Sequence, residues 1–425
     1  MKFVLATWGS RGDIEPSLAV GRELVRRGHD VTMAVPPDLV GFTEAAGPTA
    51  VAFGPNSKAI LDAHREFWTC FFRHPWRIRR MIDSRVEIAG PLLRGWQEMS
   101  ATLMSLADGA DLIFTGINFE DAAANVAERY DIPLATLHYF PLRPNGQVLP
   151  FLPPRIGRSA VKAFWWVSWR GTKKVEDAQR RELGLPKSTG SAPRRITERG
   201  SLEIQAYDEA CFPGLAAEWA DCREQRPFVG TLTLELATDS DEEIASWIAA
   251  GSPPIFFGFG SIPVESPPDT IAMISAACAR LGERALIGAA GTDFSEVPHP
   301  DHVKIAGTMN YATVFPACRA IVHHGGSSTT PIVMRAGVPQ LILYWDIVHA
   351  VYGAAVKRLK VGAARRFSTA TEESLVADLR RILAPDYRAR ARELATKITP
   401  APQSAAAAAD RLESVVRSRR MGVSG

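Results

Sequence analysis

Ten consecutive residues, Ile321-Val322-His323-His324-Gly325-Gly326-Ser327-Ser328-Thr329-Thr330, join a short apolar run to a turn of small residues and a helix start. Backbone N–H groups at a helix start have no partner inside the helix and carry partial positive charge, so such a turn favours an anion, for which pyrophosphate is the natural example. Gly325 and Gly326 let the backbone approach a ligand closely, and the hydroxyls of Ser327, Ser328 and Thr329 add donors. A histidine at the loop edge adds another donor, or a full charge if protonated. The plainer alternative is a strand-to-helix turn with a Ser/Thr cap; the paired histidines and the hydroxyl run favour the anion site.

Two further glycine turns follow apolar runs. Gly258-Phe259-Gly260-Ser261 lies in the same half of the chain and offers Ser261 to the same diphosphate. Gly9-Ser10-Arg11-Gly12-Asp13 follows the first apolar run. It is not a dinucleotide fingerprint, because GxxG replaces GxGxxG and Glu23 falls inside the helix. Asp13 stands at the expected helix start, where it reads either as a cap or as a general base. Asp239-Ser240-Asp241 spells a DxD pattern, which can hold a cation. Glu242, Glu243 and an apolar helical run follow it, which is the composition of an N-cap and an acidic first turn. No HExxH or EF-hand pattern occurs, so neither a metal nor a cofactor is expected. Phe164-Trp165-Trp166-Val167-Ser168-Trp169 is flanked by Arg155, Arg158, Lys162, Arg170, Lys173 and Lys174. Val161, Trp165, Ser168 and Trp169 share a helical face. It reads as a core-packed helix, an acceptor-pocket wall or a basic aromatic helix on an anionic membrane.

These turns need strands and helices to hold them. Lys2–Thr7 is predicted as a buried strand, followed by a helix that stops at Gly28 and a strand at Val31–Val35, a βαβ unit with a parallel strand pair joined by a crossover helix. Helical spacing over 73–106, 121–130 and 161–182 alternates with strands at 110–115 and 133–138; 140–157 reads as a loop and 186–200 as a mobile surface loop. A second series has strands at 255–259, 285–287, 303–305, 320–322 and 340–344, with helices at 270–281 and 331–336. The alanine run from Ala405 opens a C-terminal helix. The expected fold is α/β, two Rossmann-like doubly wound domains facing a cleft, with ligand turns at the carboxyl ends of the strands. The expected divisions of the chain are 1–235, 236–400 and a C-terminal segment 401–425. With 425 residues, 46% apolar, 22% charged and a net charge of +3, the chain is long enough for two cores and demands no nucleic-acid partner. Five scattered cysteines, none in a CxxC pair, point to a reducing compartment. The expected location is the cytoplasm, with peripheral association at the inner face of a membrane as the alternative.

The opening Gly9-Ser10-Arg11-Gly12-Asp13-Ile14-Glu15-Pro16, the turn Gly258-Phe259-Gly260-Ser261, and His323-His324-Gly325-Gly326 with Thr329 and Arg335-Ala336-Gly337-Val338-Pro339 stand in order along nearly the whole chain. Together they resemble the bacterial family 1 glycosyltransferases of the GT-B fold, a group that includes antibiotic, sterol and glycopeptidolipid glycosyltransferases. The resemblance implies Asp13 as catalytic base, and His323, Ser261, Ser328 and Thr329 at the diphosphate. Ser10 and Arg11, with Gly12 between them and Asp13, would approach the phosphates from the other domain. Met309 and Asn310 would lie at the nucleotide base; by the same resemblance 1–235 would be the acceptor-binding domain, 236–400 the nucleotide-sugar donor-binding domain, and 401–425 a helix returning to the N-terminal domain. One departure stands out. The family's Asp-Gln pair, which reads the sugar hydroxyls, is replaced by Val348-His349, so Asp346 or His349 must serve, or donor preference or activity is altered. Pro331 also replaces the glutamate that plant relatives place on the ribose.

The implied activity is inverting, metal-independent transfer of a hexose from a UDP- or dTDP-sugar to a hydroxyl of a large apolar acceptor. A lipid, glycopeptidolipid, sterol or polyketide or peptide aglycone would qualify, an expectation drawn from the aromatic-rich stretches 67–76 and 164–169. The alternatives are a non-catalytic glycosyltransferase-like activator and a nucleotide-sugar epimerase of the same fold.

Overall fold

The computed structural model describes residues 1–57, 70, 77–149, 152–260, 264–289, 291–294 and 296–423. The chain divides into two compact units. The first comprises Met1–Ile60, Arg85–Leu234 and Thr399–Gly425, and the second Leu61–Ser84 and Glu235–Ile398.

The first unit is built on six parallel strands: β1 (Lys2–Ala6), β2 (Asp30–Val35), β3 (Thr49–Ala52), β4 (Leu112–Gly116), β5 (Leu134–His138) and β6 (Leu202–Gln205), in the order β3-β2-β1-β4-β5-β6. Phe3, Val4, Leu5 and Ala6 are fully buried because both faces of the sheet are covered. Alternate residues serve opposite layers. Phe3 and Leu5 pack with Ile14, Leu18 and Leu24, whereas Val4 and Ala6 pack with Trp96, Leu103 and Val126. Numbering described helices of eight residues or more, these layers come from α1 (Arg11–Arg26), α2 (Ile78–Ala107), α3 (Glu120–Tyr130) and α4 (Pro154–Glu182).

The second unit repeats the plan with β7 (Ile255–Gly258), β8 (Ala285–Gly288), β9 (Val303–Ala306), β10 (Ala320–His323), β11 (Gln340–Tyr344) and β12 (Gly362–Arg366), ordered β12-β11-β10-β7-β8-β9. Its helices are α5 (Asp241–Ala249), α6 (Pro267–Leu281), α7 (Thr329–Ala336), α8 (Ile347–Leu359), α9 (Glu372–Ile382) and α10 (Pro385–Ala395). In each sheet the strand order reverses beside the first strand, between β1 and β4 and between β7 and β10. Turns at the carboxyl ends of strands beside such a reversal are where doubly wound sheets bind ligands. The three glycine turns follow β1, β7 and β10.

The last described helix, α11 (Ala401–Val423), packs against α1 in the first unit. Ala408, Ala409, Leu412 and Val416 enter the same core as Leu18 and Leu24. Arg27 reaches Asp410 at 2.7 Å and Glu413 at 3.1 Å, and Arg420 reaches Asp111 at 2.6 Å.

Several local expectations are corrected. Residues 186–200 are not a mobile surface loop: Ala192–Glu198 is a helix, Ile196 is buried, and Arg195 pairs with the fully buried Glu176. Helix α4 begins at Pro154, within the expected 140–157 loop, since proline is tolerated in a first helical turn. Strands β3, β6 and β12 were not anticipated. The aromatic stretch 67–76 lies, except for Cys70, outside the described residues.

Leu412 is completely buried between α11 and α1, so Leu412→Ala should destabilise the protein by about 2–5 kcal/mol in urea denaturation. A loss below about 1 kcal/mol would show that α11 contributes little to the core.

Candidate active site

In the second unit, β10 ends at His323 and α7 begins at Thr329. His323 is fully buried. Its Nδ1 lies 3.2 Å from the Gly325 N–H and its Nε2 lies 2.8 Å from Gln340 Oε1. A backbone N–H can only donate, so Nδ1 accepts, and Nε2 carries the ring proton and donates to Gln340. Burial pushes the imidazole down to about 4, with the Gln340 bond opposing and His349 adding to the shift. The idea of a full positive charge on His323 is therefore corrected: the ring is neutral. Both nitrogens are occupied within the protein, so His323 as placed shapes the loop rather than presenting a donor to a phosphate.

The loop turns on Gly325, whose φ of +93° is one that side chains disfavour, and a Cβ there would meet Ile342 Cγ2 at 2.7 Å. The His324 ring lies against both glycine turns. A Cβ on Gly260 would meet its Cε1 at 2.6 Å, and one on Gly326 its Nε2 at 2.4 Å. The first turn of α7 has fewer donors than a generic helix start. The Thr330 N–H is bonded to the Gly326 carbonyl at 2.9 Å, and Pro331, next in line, has no N–H. Donors for an anion would have to come from Gly326 to Thr329, where Ser327, Ser328 and Thr329 are half-buried. Ser328 is the N-cap residue of α7.

In the first unit, Asp13 sits in the first turn of α1. Its Oδ2 accepts from the Ser10 N–H at 2.7 Å and the Ser10 hydroxyl at 2.9 Å, and its Oδ1 accepts from the Tyr139 hydroxyl at 2.5 Å. The carboxylate can come this close to the turn because position 9 is glycine. A Cβ there would lie 2.4 Å from Asp13 Oδ2, and φ is +149°. A carboxylate has about four acceptor sites, so one on Oδ1 remains for a further hydroxyl.

Residues 3–92 match the glycosyltransferase family 28 N-terminal domain, and residues 261–414 match the erythromycin biosynthesis protein CIII-like C-terminal domain. An uncharacterized glycosyltransferase of Mycobacterium tuberculosis (strain ATCC 25618 / H37Rv) is 54% identical over 422 residues, covering 99% of this chain and 100% of its own. The chain belongs to the family 1 glycosyltransferases of the GT-B fold. Glycosyltransferase GtfE of Amycolatopsis orientalis is 27% identical, with 100% of both chains covered. Among solved structures, the glycotransferase of kitacinnamycin aligns with a TM-score of 0.67 at 17% identity, covering 97% of this chain and 98% of its own. Glycosyltransferase VinC in complex with dTDP aligns with a TM-score of 0.65 at 17% identity, covering 98% and 100%.

The remaining candidate residues of this glycosyltransferase are placed unevenly. His349 joins the histidine loop: its ring lies 4.9 Å from that of His324, and its backbone carbonyl faces Gly325. Asp346 is the N-cap of α8, with Oδ1 accepting the His349 N–H at 2.9 Å and lying 3.3 Å from His349 Nδ1; both residues are buried. Met309 packs in an apolar cluster with Phe256 and Phe315. Asn310 caps a short helix through Ala312, and its own N–H donates to Asp241 Oδ1 at 2.9 Å. Asp241 also accepts from the Thr238 N–H and hydroxyl, so one carboxylate of the DxD pattern is engaged in tying the 238 and 310 turns together, while Asp239 is exposed. Arg11 points outward over the Phe42 ring, 4.5 Å from its centre. Ser261 lies outside the described residues. Among the described residues, no group of three or more His, Cys, Asp or Glu is placed to hold a metal ion.

Two features carried no sequence signal. Tyr139, just past β5, is the residue that completes the hold on Asp13. Its neighbour His138 belongs to a buried charge cluster in which Arg143 contacts Glu120 at 2.8 and 3.0 Å and also pairs with Glu203. Burial is the largest single influence and would raise the Glu120 pKa; the Arg143 charge and the hydrogen bonds from His138 and Arg143 together outweigh it and hold Glu120 at about 2.

A neutral, buried His323 has a pH consequence. Its pKa is about 4 folded against 6.5 unfolded, so the unfolded chain takes up the proton first as pH falls. The stability held by this residue is complete above pH 6.5 and is lost progressively down to about 4, by up to roughly 3 kcal/mol. His323→Gln should show a shallower fall in urea stability across that window. An equally steep fall, or ring carbon shifts showing a charged His323 near neutrality, would overturn the assignment.

Proposed function

We propose that this glycosyltransferase is an inverting, metal-independent hexosyltransferase that moves a hexose from a UDP- or dTDP-sugar to a hydroxyl of a large apolar acceptor. A lipid, glycopeptidolipid, sterol or polyketide or peptide aglycone fits this class. The observation that carries the reading is the Asp13 carboxylate, oriented by Ser10 and Tyr139 with one acceptor site unused. In this reading Asp13 receives the acceptor proton as the hydroxyl attacks the anomeric carbon. A carboxylate is too weak to strip an alcohol beforehand, so proton transfer lags, and it becomes favourable as the attacking oxygen acquires positive charge.

The leaving nucleoside diphosphate is assigned to the second unit. Backbone N–H groups of Gly326 to Thr329, with the hydroxyls of Ser327, Ser328 and Thr329, would take up its charge, and one preorganised donor of this kind contributes about 3 kcal/mol. The commitment of Asp241 to N–H and O–H donors supports a metal-independent route. The dTDP complex of VinC supports a nucleotide in this role. His349 replaces the family's glutamine beside the loop and is proposed, with Asp346, to face the sugar. Ser10, Arg11, Gly12, Ser261, Met309 and Asn310 are retained as donor contacts of the same reading. No described helix is long and apolar enough to cross a membrane, and a lipid-borne acceptor is proposed to be met by peripheral contact.

Asp13→Asn keeps the side-chain size but removes the base. Its turnover should fall about 10²–10⁴-fold while nucleoside-diphosphate affinity, measured by calorimetry, stays within about twofold. Undiminished turnover removes Asp13 from the mechanism. Gly325→Ala, which forces a Cβ onto Ile342, should weaken nucleoside-diphosphate binding by at least about tenfold at an unchanged acceptor affinity. Normal affinity in that variant counts against the loop as the diphosphate site.

A further inference from the structure

The first half of α4 is turned inside out relative to an ordinary surface helix. Trp165 and Trp169 face inward: Trp165 Nε1 donates to the Leu142 carbonyl at 2.9 Å, and Trp169 Nε1 to Glu176 Oε2 at 3.0 Å. Glu176 lies on the same helix, is fully buried and pairs with Arg195 from outside it, so this ion pair and the Trp165–Leu142 bond hold the inner side of the helix in place. The opposite face is left with Ile156 at 55%, Phe164 at 58%, Trp166 at 58% and Val167 at 61% exposure. Ile156, Ala163 and Val167 recur at helical spacing, with Phe164 on one flank and Trp166 on the other. Single exposed apolar residues need no explanation, but two aromatics and two β-branched residues on one pinned face do.

The charges around this face have one sign. From Pro154 to Lys174 there are six basic residues and no acidic one. Arg158 pairs with Glu218 at 2.8 Å and Lys173 with Asp177 at 3.0 Å. Arg155, Lys162, Arg170 and Lys174 make no ion pair among the described residues, and all four are exposed. Arg170 lies over the Trp166 ring at 5.8 Å, a cation beside an aromatic at the edge of the apolar strip.

We propose that this face of α4 is a docking surface for an anionic lipid bilayer. Phe164, Trp166, Val167 and Ile156 enter the acyl boundary, and Arg155, Lys162, Arg170 and Lys174 meet the phosphate headgroups. Aromatic side chains favour that depth, and a helix with an apolar strip flanked by cations binds in the plane of the interface. The unrelieved positive charge is what selects a lipid surface over a second copy of this chain, which would bring the same cations to the contact. The proposal does not depend on the identity of donor or acceptor.

The test uses the full chain without substrates and measures cosedimentation with vesicles of phosphatidylcholine, with or without phosphatidylglycerol. Binding should be at least about tenfold tighter to the anionic vesicles and should weaken as salt is raised. Phe164→Ser/Trp166→Ser and, separately, Lys162→Glu/Arg170→Glu should each lower anionic-vesicle binding by at least about tenfold. Because these side chains are exposed, thermal melting should not move. Equal binding to both vesicle types, or binding unaltered in both variants, overturns the proposal. So does a dimer in solution that the Phe164→Ser/Trp166→Ser variant dissociates and that shows no vesicle binding. Since no turnover is read, a failed sugar-transfer assignment leaves this result standing, and the reverse.

Discussion

A parallel strand cannot hand its chain straight to its neighbour; the chain must leave, cross a face of the sheet and return. Everything reactive in this protein follows from that constraint. Among the described residues, twelve strands in two sheets all run parallel to their neighbours, so the strand-to-helix turns of a unit emerge at the same edge of its sheet. Where the strand order reverses, adjacent crossovers diverge to opposite faces and leave a recess between two turns. Gly9–Asp13 follows β1 at one reversal, and Gly260 and the histidine loop follow β7 and β10 at the other. The helix starts at these turns then supply positive potential without any further device.

The two turns use that potential differently. At β1 a carboxylate already occupies the helix start and is held there by Ser10 and Tyr139, so the position is filled by the protein's own anion. At β10 no acidic residue lies between His323 and Arg335, and the loop is shaped instead by an uncharged imidazole bridging Gly325 and Gln340. Behind Tyr139 stands the cluster of His138, Glu120, Arg143 and Glu203. Desolvating a guanidinium costs several kcal/mol, which the paired carboxylates must offset. The return is orientation: three hydrogen bonds from the Arg143 guanidinium join the segments following β4 and β5 to strand β6. His138 is locked within that cluster, and the next residue along the chain is the one that holds Asp13.

Much of this was legible in sequence. Continuous apolar runs such as Lys2–Ala6 and Ala320–Val322 announce strands buried on both faces, and the glycine turns after them announce the ligand edge. What escaped were the sheet edges and the polar interior. Strand β3 is a four-residue, half-exposed segment, and β12 reads Gly-Ala-Ala-Arg-Arg, with no apolar signature. In β6 the alternating Leu-Glu-Ile-Gln looks half-exposed, yet all four are buried because Glu203 meets Arg143 and Gln205 meets Tyr207. The 186–200 stretch misled for the same reason: Arg195 is engaged by a buried carboxylate contributed by α4. Pairings between distant polar residues leave no periodicity, so Tyr139 and Gln340 are recognisable only once the fold brings their partners to them. His323 shows the reverse case, since its type and position were plain and its burial changed its role.

Helix α11 lies in the core of the first unit, so residues 235–398 of the second unit separate it along the chain from the α1 surface it covers. A ribosome delivers the chain in order. The second unit can therefore collapse around its own sheet while the first still lacks Ala408, Leu412 and Val416 to cover Leu18 and Leu24. Until α11 emerges, that apolar stripe of α1 is open to water and to other nascent chains. Sealing it with a helix that follows residues 235–398 delays completion of the first unit until that stretch has been synthesised.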